Sequence, residues 1–97
     1  MANSMILTIL VKPECLNDFL GAMKEAMPDT RAYEGCQQVD VWTSEDEPGK
    51  VMIFETWETK AHQEKYFAWR MESGMMDALA PMLRGEPAVT WLKVHDL

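Results

Sequence analysis

Apolar and polar residues recur along this chain with two periods, and the changes from one to the other mark the elements. Residues 5–11, Met-Ile-Leu-Thr-Ile-Leu-Val, read as a strand. Pro13 stops it, having no N–H to give a ladder. Leu16, Phe19, Leu20, Met23 and Met27 then share one helical face, which predicts a helix over residues 14–27. Pro28 is expected to end or kink that helix, because its ring meets the carbonyl of Lys24. Residues 29–33 allow a further turn, and Gly35 is a stop signal. Residues 36–44 alternate again, with Val39, Val41 and Thr43 on one face and Gln38, Asp40 and Trp42 on the other. Residues 50–57 form the next strand, after an acidic Glu-Asp-Glu-Pro-Gly hairpin loop. Thr59 suits the N-cap of a helix running to about residue 71, and Ser73-Gly74 punctuates it. A second helical piece over 75–83 carries Met75, Leu79, Met82 and Leu83 on one side, with Pro81 late in it. Gly85-Glu86-Pro87 reads as a turn before a last strand over 88–95.

The order β-α-β-β-α-α-β is the split βαβ, ferredoxin-like pattern with one extra helical segment. It predicts an α+β fold in which a four-stranded antiparallel sheet carries helices on one face, as one domain over residues 1–97. The strands are apolar on both faces, however. Met5, Leu7, Ile9 and Val11 oppose Ile6 and Leu10; Val51, Ile53 and Trp57 oppose Met52 and Phe54; Val89 and Trp91 oppose Leu92 and Val94. Helices cover one face only, and a sheet with one wet face should alternate apolar with polar. The uncovered face would leave a large apolar patch in water, which soluble monomers rarely carry. A homodimer packed sheet to sheet resolves this, since a twofold interface uses one patch on both chains.

Composition narrows the function. Nine basic residues stand against sixteen acidic ones, a net charge of −7, which argues against nucleic acid or an anionic membrane as partner. The longest apolar run falls far short of a membrane span, and no basic segment precedes it as in a secretory signal. Cys15 and Cys36 match no metal spacing and read as reduced thiols of a cytoplasmic protein. There is no Gly-rich phosphate loop, no Ser-His-Asp arrangement and no HExxH. No metal site is expected.

Three short motifs add a resemblance. Thr30-Arg-Ala-Tyr-Glu-Gly-Cys36, Phe54-Glu-Thr-Trp-Glu-Thr-Lys60, and Tyr66-Phe-Ala-Trp-Arg70 followed by Ser73-Gly74 are similar to segments of the antibiotic biosynthesis monooxygenase (ABM) domain family. The resemblance runs over nearly the whole chain. It implies a dimeric α+β barrel, in which two sheets close around a shared core, with a ligand pocket between sheet and helices in each protomer. It also implies an oxidoreductase, a monooxygenase that needs no cofactor and oxidises a small aromatic quinol or polyketide-like substrate with dioxygen. The same fold accommodates non-catalytic small-molecule binding or stress-response dimers and proton-transfer isomerases, so these readings stay open.

Such chemistry needs an apolar slot, a proton acceptor and a donor for developing negative charge. His62, Tyr66 and Trp69 share one face of the second helix, with Arg70 beside them. As catalytic candidates, His62 would relay protons, Tyr66 would bond a substrate hydroxyl and Arg70 would steady an anion. Trp57 and Trp69 would sandwich an aromatic ring, with Trp42 at the rim and Met75 in an adaptable apolar wall. Each has a plainer reading. Aromatic residues at helical spacing build cores, Arg70 would pair with Glu55 or Glu72, His62 near a helix start would be solvated, and Trp57 would plug the barrel.

Overall fold

The computed structural model describes residues 3–97. Strand β1 (Asn3–Leu10) leads through a 3-10 turn at Pro13–Cys15 into helix α1 (Leu16–Ala32). Strands β2 (Cys36–Thr43) and β3 (Lys50–Trp57) follow, then helices α2 (Lys60–Glu72) and α3 (Met75–Leu79), a second 3-10 turn at Ala80–Met82, and strand β4 (Ala88–Trp91). All strand pairs are antiparallel, in the order β2-β3-β1-β4. This is the ferredoxin-like α+β fold that the element order predicts.

Side chains alternate across the sheet. Met5, Leu7 and Ile9 of β1, Val39 of β2, and Val51 and Ile53 of β3 are buried against Phe19, Met23 and Met27 of α1. The opposite face carries Ile6, Leu10, Met52 and Phe54, half-buried, and Trp42, 62% exposed. No helix among the described residues covers it, so the two-faced apolar pattern holds for β1 and β3 in the folded sheet; it does not hold for β4, because Leu92 and Val94 lie beyond its end.

Three boundaries depart from the pattern read in the sequence. Helix α1 runs on through Pro28 to Ala32. Proline deprives the Lys24 carbonyl of its N–H partner. Two residues further on, the Ala26 carbonyl accepts from the Thr30 hydroxyl at 3.2 Å and from Arg70 Nη2 at 3.0 Å. The last strand stops at Trp91 rather than reaching residue 95. Its register begins at Thr8↔Ala88 and ends at Met5↔Trp91, and one more bond, Leu92 N–H to the Ser4 carbonyl, brings it to the start of β1. Pro81 divides the final helical piece into α3 and a 3-10 turn, because it cannot donate the next α-helical bond.

The start of α2 is fixed by a cap. Thr59 accepts from the His62 N–H at 3.1 Å, and its hydroxyl also meets His62 Nδ1 at 2.7 Å. The His62 ring lies against Gly35, whose φ of +88° is the left-handed region open to glycine. Beside Gly35 the register of β2 slips between Cys36 and Gln38, and this bulge turns Cys36 back toward the core.

Candidate functional site

Between the helices and the covered face of the sheet lies a cavity of about 60 Å³. Its walls are mostly apolar: Leu7, Ile9 and Ile53 from the sheet, Met23 and Met27 from α1, and Met75, Met76 and Leu79 from α3. Thr30, Glu55, Tyr66 and Arg70 bring polar atoms to it.

Arg70 is 8% exposed and has no carboxylate partner among the described residues. Both ion pairs found among the described residues are surface pairs, Lys65–Glu34 and Arg84–Glu47. The guanidinium instead donates from Nε to Tyr66 Oη at 2.9 Å and from Nη2 to Thr30 Oγ1 and the Ala26 carbonyl, both at 3.0 Å. Its face lies over the Trp69 ring, 4.4 Å from the centroid. Nη1 makes no hydrogen bond to the described residues.

Tyr66 and Thr30 complete a closed relay. Thr30 Oγ1 donates to the Ala26 carbonyl, so across the 2.7 Å contact Tyr66 Oη is the donor and Thr30 the acceptor. The Tyr66 proton is therefore committed inside the protein, and the phenol oxygen serves to hold Arg70. These bonds connect the last turns of α1, at Ala26 and Thr30, to α2.

Glu55 stands on the sheet wall, 4% exposed, between the two aromatic-bearing elements. Its Oε1 accepts the Trp57 indole N–H at 2.9 Å. Burial pushes the carboxyl up from its ordinary value, and the Trp57 hydrogen bond draws it back by less. No fully buried side-chain oxygen or nitrogen among the described residues lacks a partner. Oε2, with no hydrogen bond to the described residues, therefore keeps accessible surface, and Glu55 is one of the residues that line the cavity.

The model of one protein family, antibiotic biosynthesis monooxygenase, matches residues 4–75. The chain belongs to the antibiotic biosynthesis monooxygenase family. That match takes in β1 through α2 and the first residue of α3, hence every polar residue of the cavity. The fold is also shared with solved structures. A conserved protein from Methanosarcina mazei superposes with a TM-score of 0.85 at 19% identity, over 96% of this chain and 92% of that one. A structure described as an antibiotic biosynthesis monooxygenase gives 0.85 at 20% identity, over 99% and 100%. A protein from Mycobacterium tuberculosis gives 0.83 at 20% identity, over 100% and 98%. No curated protein matches the sequence.

In this ABM domain the residues singled out in the sequence separate into groups. Tyr66, Arg70 and Met75 line the cavity. Trp57 is wholly buried behind it and reaches it through Glu55. Trp69 is 36% exposed on the outer side of the cluster. The two indoles do not leave a slot for a ligand, because Tyr33 and Tyr66 already contact both, at centroid distances from 5.2 to 6.5 Å. His62 lies on the surface beside Glu34, Ala61 and Lys65, occupied with the Thr59 cap. Trp42 stands on the uncovered sheet face, among Ile6, Met52 and Phe54. Arg70 pairs with neither Glu55 nor Glu72. Thr30, Glu55 and the methionines of α1 were not singled out from the sequence. For Glu55 a signal existed: it is the one charged residue on the inward face of β3, between Ile53 and Trp57.

Among the described residues no cluster of His, Cys, Asp and Glu could hold a metal ion, and no helix is long and apolar enough to cross a membrane.

Proposed function

We propose that this ABM domain is a cofactor-independent monooxygenase that oxidises a small, single-ring quinol with dioxygen. The observation that carries this reading is Arg70: an almost fully buried guanidinium lining an apolar cavity, with no carboxylate partner among the described residues and with Nη1 unbonded to them. Burying an unpaired cation is costly unless something anionic uses it. A quinol that loses its hydroxyl proton supplies that anion and becomes more electron-rich. The ionised substrate supplies the electrons and dioxygen takes them; one oxygen atom enters the ring and the other leaves as water. Arg70 stabilises the substrate oxyanion, Tyr66 and Thr30 hold the guanidinium, and Met75 belongs to the wall that gives way to the ring.

Cavity size selects among substrates. An apolar cavity that takes up benzene measures about 150 Å³, against about 60 Å³ here. Even one ring requires the unbranched Met23, Met27, Met75 and Met76 side chains to swing aside, which methionine does readily. A multi-ring polyketide would need several times the space, which favours the single-ring class.

The working unit is proposed to be a cytoplasmic homodimer joined through the uncovered sheet face. Its support is the stripe of Ile6, Leu10, Met52 and Phe54 beside exposed Trp42. The test of function is oxygen uptake by the purified protein with chelator present, over benzoquinols, naphthoquinols and anthrones. Uptake above the autoxidation rate with the one-ring compounds is the expected result. No uptake with any of them, or uptake with anthrones alone, overturns the reading.

A further inference from the structure

We propose that Glu55 is the catalytic proton acceptor, taking the hydroxyl proton of the bound phenol on Oε2 while Trp57 positions the carboxyl through its indole N–H. The inference rests on the cavity being the phenol site of the function proposed above, and it names a group which that function requires and Arg70 cannot supply.

The argument is one of elimination by geometry. Of the polar residues at the cavity, Arg70 holds no lone pair to receive a proton. The Thr30 hydroxyl accepts from Arg70 and Tyr66 and donates to Ala26, and Tyr66 accepts from Arg70 and donates to Thr30. Both hydroxyls are spent within the relay. Among the described residues that line the cavity, Glu55 is the one with an unbonded basic oxygen, Oε2. Glu55 comes from the sheet wall and Arg70 from the helix wall, with no nitrogen–oxygen approach within 4.0 Å. A ligand oxygen held between them is not excluded by a pre-existing ion pair. In the step, the phenol O–H bond breaks and an Oε2–H bond forms. The negative charge moves from Glu55 to the ligand oxygen, beside the guanidinium, and no electrons change hands.

Trp57 gives the carboxyl its direction. With Oε1 fixed at 2.9 Å from the indole nitrogen, rotation of the carboxyl is blocked and Oε2 is left to the ligand. The groups that bear on Glu55 are few. Arg70 and Tyr66 on α2 share the cavity lining with it, the Cys36 thiol on β2 feels its charge, β1 pairs Met5 with it, and α1 brings Met27 and Thr30 to the same cavity. Burial, more than any of these, keeps the carboxyl a better base than an exposed glutamate.

The test uses 4-nitrophenol as a one-ring probe whose binding is followed by tryptophan fluorescence from low pH to neutrality, together with oxygen uptake on a benzoquinol. Wild-type affinity is expected to fall on acidification, along a limb lying above the ordinary carboxyl range, as Glu55 takes up its own proton. The isosteric Glu55→Gln is expected to bind with no such limb, and its oxygen uptake should fall about 100-fold or more, the usual scale for a general base. In Glu55→Ala, added formate should restore part of the rate, whereas in Glu55→Gln it should not. A structural role would move neither the limb nor the formate response. An unchanged limb in Glu55→Gln, or failure of 4-nitrophenol to bind the wild type, overturns the proposal. If the limb depends on Glu55 while no quinol is oxidised, the monooxygenase reading fails and the proton-acceptor assignment stands.

Discussion

Replacing Arg70 with methionine should separate the proposed function from folding. The side chain makes three hydrogen bonds, all to neutral oxygens. A hydrogen bond from a charged donor contributes about 1.5–3 kcal/mol, so removing three looks severe. Two features offset it. Burial of the guanidinium without a carboxylate carries an effective penalty of several kcal/mol, which methionine does not suffer. None of the former partners is left bare either: Ala26 keeps the Thr30 hydroxyl, Thr30 keeps the Tyr66 hydroxyl, and Tyr66 keeps Thr30 as acceptor. The methionine chain retains the apolar stem against Trp69. We expect Arg70→Met to stay within about 2 kcal/mol of wild type, a shift in Tm below roughly 15 °C for a chain of this size. Oxygen uptake should fall at least 100-fold, the scale seen when one donor to a developing oxyanion is removed. Thermal unfolding and uptake are measured at one protein concentration, because association raises apparent stability. A destabilisation above about 3 kcal/mol would make Arg70 a structural tie between α1 and α2. A loss of uptake under tenfold would show that it does not meet the substrate. Either result refutes the reasoning.

Glu55 also sets a pH dependence of stability. Its carboxyl is raised on folding by burial, so the native state holds the proton more tightly than the unfolded chain. Its contribution is fully present below the unfolded value and is lost as pH rises through the folded value. The stability of Glu55→Gln relative to wild type should therefore increase from acid to neutral pH in urea unfolding; a constant difference would contradict the burial argument. Phe54→Asp places a charge in the middle of the uncovered face, opposite Ile6, and should weaken association at least 100-fold, about 3 kcal/mol. An unchanged mass in sedimentation at micromolar concentration would exclude sheet-to-sheet assembly. A Cβ at Gly35 would collide with the His62 ring at a positive φ, so Gly35→Ala should cost about 2 kcal/mol or more. Gly21→Ala, which meets nothing within 4 Å inside α1, should gain roughly 0.5–1 kcal/mol. Equal effects at the two glycines in thermal unfolding would contradict the close packing at Gly35.

The fold was legible because periodicity is a local property. The apolar alternation of β1 and β3 and the spacing from Leu16 to Met27 each specify an element without reference to the rest of the chain. What was not legible depends on distant partners. Residues 92–95 carry a strand-like pattern, yet β4 ends at Trp91 because β1 has little strand left to pair with them. Pro28 is a helix breaker by its neighbours in sequence, yet α1 runs through it, with Pro28 and Lys24, whose carbonyl loses its partner, both on the exposed side of the helix. The site divided in the same way. Tyr66, Arg70 and Met75 were visible as a chemically rich helix face and its continuation. The stripe also suggested His62 and Trp69, which the turn of α2 carries to its cap and to its outer side. In the sequence Glu55 reads as a partner for arginine, although a carboxylate at an inward position of a buried strand has to be explained by something other than solvation.

The numbering of β3 itself separates two properties of this protein. From residue 51 to residue 57, odd positions face the helix-covered interior that holds the cavity and even positions face the surface through which a second copy is proposed to dock, and β1 obeys the same rule from residue 5 to residue 10. The cavity wall and the surface of the proposed assembly are thus written on interleaved letters of the same two strands. Libraries restricted to odd positions would retune the cavity without touching association, and libraries restricted to even positions would do the reverse. An insertion of one residue into either strand would exchange the two sets of side chains and remove both properties together.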